Sequence, residues 1–143
     1  MTTIVSGLVG GFVATVVMTL FMLTMGDDSP PPTALFWVRY VGDGDPDAAM
    51  APGLVLHAIY GTVAGGVLAA AVPAIAVLSV TSVTDGLLWG LAYGVVLFVG
   101  AAVFWMNIVL DMDPEPGQVV GFLVFHLIYG VVVGAWLGAG LLA

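Results

Sequence analysis

Cysteine is absent, which excludes disulfides, thiolate metal sites and thiol catalysis. Lysine is absent too, and Arg39 is the only basic side chain, so the formal net charge is -8. A chain of this kind cannot build the basic, phosphate-tracking surface that nucleic-acid binding needs. Charge of either sign is scarce. Charged residues make up 7% and hydrophobic ones 62% of the chain, whereas a soluble domain is about a quarter charged and about half apolar. Enzyme signatures are missing as well: there is no nucleophile, base and acid set, no His-Glu zinc helix and no glycine-rich phosphate turn after a strand. The expectation is therefore a non-enzymatic protein of the lipid bilayer.

What the chain does have is long apolar runs. A membrane helix needs roughly 20 apolar residues to cross ~30 Å of hydrocarbon, and four stretches qualify, at about 4–25, 53–80, 84–110 and 118–142. The turn-forming segments "GDDSPPP", "TSVTD" and "DMDPEPG" separate them. The first run lacks a Lys/Arg-bearing start and a small-residue cleavage site, and reads as a retained span. Pro73 falls inside the second stretch and predicts a kink there. In the long first connection, "PPTALFWVRYVG" predicts a short interfacial helix capped by Thr33, with Phe36, Trp37 and Tyr40 at headgroup depth and Arg39 directed to water or headgroups.

The acids avoid the spans: eight of the nine fall in two clusters within the connections, leaving Asp85 apart. Acid-rich, lysine-free surfaces resemble those of haloarchaeal proteins, where high salt screens the repulsion. Two clusters share the form Asp-x-Asp-Pro-acid, Asp43–Asp47 and Asp111–Glu115. An Asp before Pro predicts a helix N-cap with proline at the first helical position. Clustered carboxylates also suit a hard cation, although neither box has the glycine of an EF-hand at its sixth position, where Ala48 and Pro116 stand.

The chain is an internal duplication. Leu54–Leu68 against Leu123–Leu137 gives 9 identities in 15, and Gly7–Met18 against Gly86–Leu97 gives 5 in 12. The unit is a helical hairpin, repeat one at about 4–80 and repeat two at about 84–142, in a single integral membrane domain. Two spans per unit give both copies one orientation, with the symmetry axis along the membrane normal.

The only two histidines open the duplicated pentapeptides "HAIYG" and "HLIYG", His57 to Gly61 and His126 to Gly130. Each begins a ladder at every fourth position: His57, Gly61, Gly65 and Ala69, then His126, Gly130, Gly134 and Gly138. Residues four apart share a helix face, and small ones let helix backbones approach closely in lipid. The imidazoles are thus expected on a helix-helix face, level with each other. Three readings stay open. In the first, each ring donates to a carbonyl or to a neighbouring tyrosine, with Tyr60 and Tyr129 as the phenolic partners. In the second, His57 and His126 are axial ligands of a haem. In the third, they form a protonation pair in a small transporter or channel, with Thr15, Thr19, Thr24, Thr62 and Asn107 as the remaining polar candidates.

The stretches "GLVGGFVATVVMTLFML", "HAIYGTVAGGVLA", "GLLWGLAYGVVLF" and "GFLVFHLIYGVVVGAWLG" together resemble an uncharacterised family of small four-helix membrane proteins, frequent in haloarchaea and present in bacteria. The resemblance covers essentially the whole length. Its most specific parts are the Gly-x-x-Ala-Thr-x-x-Met-Thr pattern, met by Gly11, Ala14, Thr15, Met18 and Thr19, and the paired His-x-x-Tyr-Gly motifs. It implies a fold and a location, and lends no activity. The sequence thus predicts an all-α, multi-pass protein of the cell membrane, acting as a structural or accessory subunit. Its partners would be the bilayer and other membrane subunits or copies of itself, docked through GxxxG faces such as Gly7/Gly11.

Overall fold

A computed structural model describes residues 3–75 and 79–143. The chain is all-helical, with α1 (Ile4–Met25), α2 (Pro32–Tyr40), α3 (Met50–Ala74), α4 (Val83–Val109) and α5 (Pro116–Gly138), and no strand among the described residues. The last part of α4, Gly100–Val109, is a π-helix. Four of the helices, α1, α3, α4 and α5, are long and apolar enough to cross a membrane, and the chain is consistent with a multi-pass membrane protein. The 22 residues of α1 rise roughly 33 Å at 1.5 Å each, enough for the hydrocarbon layer.

Lipid tails are as apolar as leucine, so these helices are held together by close backbone approach and hydrogen bonds. In the first half of the chain α1 packs on α3: a Cβ placed on Gly11 would fall 2.9 Å from the Gly65 Cα. In the second half α4 packs on α5, and a Cβ on Gly90 would fall 2.7 Å from the Gly134 Cα. Gly11 and Gly90 are equivalent positions of the duplication, as are Gly65 and Gly134. The ladders of α3 and α5 therefore face their own hairpin partners, and they do not pack against each other.

Across the two halves the packing is unequal. Helices α1 and α5 lie close, with Trp136 seated over Gly10 and the Ser6 hydroxyl donating to the Leu141 carbonyl. The repeat-equivalent pair, α4 and α3, is not among the closely packed helices. It is joined instead by a side chain, the Tyr93 hydroxyl donating to the Ala64 carbonyl at 2.8 Å.

Helix α2 fastens one end of this open side. Ala34 sits against Gly53 of α3. The guanidinium of Arg39 donates to the Leu110 carbonyl at 2.7 Å, and the Tyr40 hydroxyl donates to the Val109 carbonyl at 2.8 Å. These are carbonyls that the end of α4 leaves without helical partners, and a cation there also suits the helix dipole. Arg39 thus satisfies a helix end while its side chain stays exposed.

Other expectations also change. Pro73 is the penultimate residue of α3, so it ends the helix instead of kinking it; of the predicted remainder of that span, residues 76–78 lie outside the described set. Neither Asp-Pro step caps a helix. Asp45 and Pro46 lead a turn in which Asp45 accepts from the Asp47 amide, and α3 starts later without a side-chain cap. At α5 the cap is Glu115, in a reciprocal capping box with Gln118 and with Pro116 at the first helical position. Thr33 lies within the first turn of α2, whose N-cap is Pro31. Gly7 and Gly11 are buried against α3 and do not form a docking edge.

Candidate functional site

His57 lies in the first third of α3 and His126 close to the middle of α5, and the fold brings them to shared ground. His126 is buried and His57 half-buried. Each ring is held by Nδ1. His126 Nδ1 lies 2.8 Å from the Phe122 carbonyl one turn earlier, and since a carbonyl only accepts, this nitrogen is the donor. His57 Nδ1 lies 3.3 Å from the Thr19 hydroxyl of α1, a pairing that works with the proton on either atom. Among the described residues neither Nε2 makes a hydrogen bond, and in each ring it is the edge opposite the anchored one.

Two cavities meet at these rings. The smaller, about 20 Å³, is bordered by His57, His126, Tyr60, Tyr129 and Thr15, so it gathers the histidines and tyrosines of both duplicated motifs. It has room for one water molecule beside several polar groups. The larger, about 370 Å³, lies under α2 and is bordered by His57, His126 and Tyr60 together with residues of all five helices. Its size falls within the range of small-molecule sites. Ile59 and Tyr60, more than a third exposed, stand at its margin on the open side between α3 and α4.

The walls of the larger cavity are apolar and rich in rings: Phe36 from α2, Trp105 from α4, and Phe122 and Phe125 from α5. Phe36 meets Trp105 edge-on at 5.7 Å, and Phe122 meets His126 at 4.5 Å. Met18, Met22 and Met106 fill the gaps between them with flexible, polarisable side chains. The π-helix determines what α4 presents here. Its i to i+5 bonding, as from the Leu110 amide to the Trp105 carbonyl, stacks residues five apart, and Ala101 and Met106 both face inward at that spacing. Thr33 adds one polar atom: its Oγ1 is buried at the cavity wall with no hydrogen-bond partner among the described residues.

The tyrosines separate in role. Tyr129 is 2% exposed and donates to the Gly61 carbonyl of α3 at 2.7 Å. Its repeat mate Tyr60 is 40% exposed and lies edge-on to Trp105 at 6.5 Å. Neither bonds an imidazole, so the expected His-Tyr pairs are not formed. A continuous polar path is not assembled either, because Thr15, Thr24 and Thr62 each donate back to a carbonyl of their own helix, and Asn107 is exposed. No group of three or more His, Asp or Glu side chains that could hold a metal occurs among the described residues.

Sequence reasoning reaches the histidines and tyrosines through their duplication. It reaches Thr33 and Phe36 only as parts of an interfacial helix, and Trp105 and Met106 not at all, since none of the four has a repeat to mark it. Their one common signal is that α2 and the π-segment are the parts of the chain where the two halves differ. No family model, curated protein or solved structure matches this chain.

Proposed function

We propose that this chain is a four-span integral membrane protein with a binding role, an accessory subunit that holds a small apolar molecule between its two hairpins. The hairpins act as parallel-related repeats about an axis normal to the membrane, and α2 lies along the interface as the cover of the site. The observation that carries this reading is that two imidazoles, each fixed through Nδ1, border one cavity whose other walls are almost wholly apolar. A pocket of that composition with a few converging polar groups is the usual form of a small-molecule site. Purification in lipid nanodiscs followed by solvent extraction and mass spectrometry tests it. A stoichiometric small molecule is expected from the native protein and a depleted one from the His57→Phe/His126→Phe double variant. Equal extracts from both would refute the assignment.

The anchored histidines also favour a second reading, bis-histidine haem ligation. Metal-bound imidazoles commonly donate through their other nitrogen to a carbonyl, as His126 does. Against it, the only cation that could pair with propionates, Arg39, is engaged at Leu110. A Soret band lost on His126→Ala would establish the haem reading, and colourless protein from haem-replete cells would remove it.

A further inference from the structure

The polar atoms in the cavity restrict what it can hold. This step rests on the binding role proposed above and concerns the identity of the ligand. A charged headgroup has no counterpart there, since Arg39 is tied to the end of α4 and no carboxylate borders the space. A phosphate or carboxylate would have only the imidazoles to meet, and to pair with it they would have to carry a charge among apolar walls, which is unfavourable. The ligand is therefore uncharged.

Hydrogen-bond polarity narrows it further. Because His126 donates through Nδ1 to the Phe122 carbonyl, the neutral form of its ring has its lone pair on Nε2. That atom can accept but cannot donate, so the matching ligand group is an O–H or N–H. His57 is less constrained, because its Thr19 partner can either give or take the proton. The buried Thr33 hydroxyl, equally adaptable, stands on the α2 side of the same cavity without a partner among the described residues. The walls then select for shape: Phe36, Trp105, Phe122 and Phe125 offer ring faces and edges, which another ring engages better than a straight chain does.

We infer that the cavity binds an uncharged lipid with a hydroxyl-bearing aromatic head, a phenol or hydroquinone, whose O–H donates to Nε2 of His126 while its tail leaves through the margin at Ile59 and Tyr60. A quinone, with acceptors only, is the poorer match at His126. The site thus distinguishes the reduced from the oxidised form of one ring by hydrogen-bond polarity, without any redox step of its own.

The test compares retention of five probes by protein-loaded nanodiscs of saturated phosphatidylcholine with retention by empty discs: 4-octylphenol, its methyl ether 4-octylanisole, 1-octanol, and a matched alkyl hydroquinone/quinone pair. The phenol is expected to be retained roughly tenfold more tightly than the ether, with the hydroquinone ahead of the quinone, and His126→Phe should erase both preferences. Because the phenol and ether comparison uses the native protein, it stands even if that variant does not fold. Equal retention of phenol and ether overturns the hydroxyl assignment, and octanol matching the phenol overturns the ring assignment; in both cases the binding role survives. If no probe exceeds the empty discs, the binding role fails as well.

Discussion

The Tyr129 hydroxyl lies 2.7 Å from the Gly61 carbonyl oxygen, so that α5 of the second hairpin is bonded to α3 of the first at the level of the histidine motifs. The carbonyl belongs to a glycine of one pentapeptide and the hydroxyl to the tyrosine of the other. Among the described residues no reciprocal bond is made, and Tyr60 is exposed and edge-on to Trp105. Loss of the hydroxyl should therefore matter at one copy only. Tyr129→Phe is expected to cost about 0.5–1.5 kcal/mol and Tyr60→Phe close to nothing. Denaturation in mixed micelles, followed by helical ellipticity, measures the difference; equal losses would contradict the asymmetry.

Backbone contact between ladders makes some glycines irreplaceable and leaves others free. A Cβ at Gly134 would strike the backbone of Gly86 and Gly90, whereas at Gly117 it would meet nothing within 4 Å. Gly134→Ala should destabilise by about 1–3 kcal/mol or more through overpacking, and Gly117→Ala should be neutral. Thermal unfolding in detergent checks both. A tolerated Gly134→Ala would mean that α4 and α5 are not in backbone contact.

Helix α2 depends on the end of α4. Arg39→Met keeps most of the apolar stem but removes the charged donor to Leu110, an interaction of about 1.5–3 kcal/mol. The expected result is faster amide exchange across Pro32–Tyr40, with α1 and α5 unaffected. Unchanged exchange in α2 would show that this bond does not hold the cover of the cavity.

The connection after α1 is tied to the start of α5 by a carboxylate. Hydrogen bonds from the Ser29 hydroxyl and then from the Gln118 amide hold Asp27 below the usual carboxylate range. With the folded value below the unfolded one, the stabilisation is complete above the unfolded pKa of ~3.9 and is lost as pH falls through the folded value. Gln118→Ala should raise the Asp27 pKa toward the ordinary value. A carboxyl titration by NMR reads this directly, and an unmoved Asp27 would count against the contact.

Much of this architecture is legible in the sequence, for identifiable reasons. Span length and the four-residue glycine spacing are imposed by the bilayer and by backbone approach, so they appear as composition and period. His57 and His126, at equivalent positions of the two pentapeptides, border the same two cavities. What the sequence does not carry is how the two units dock. Nothing in the ladder of α3 says that Gly61 and Gly65 face α1 in place of α5, since either neighbour would satisfy the same spacing. The outward turn of Tyr60 follows from the close α1–α5 contact at Gly10 and Trp136, which leaves the equivalent α3–α4 pair apart. The π-helix is invisible to a reading based on a 3.6-residue period. At α5 the cap falls to Glu115, in its reciprocal box with Gln118, and not to Asp113, while α3 begins at Met50 with no side-chain cap at all.

The central claim is that the two imidazoles face one common space. The natural absence of cysteine makes this directly measurable. In a His57→Cys/His126→Cys variant reconstituted in nanodiscs, a short bifunctional thiol reagent should join the two positions within a single chain at high yield. A Val55→Cys/Val124→Cys control, at two exposed positions of the same helices, should give little. Equal cross-linking in both variants, or none at 57 and 126, would contradict the shared cavity.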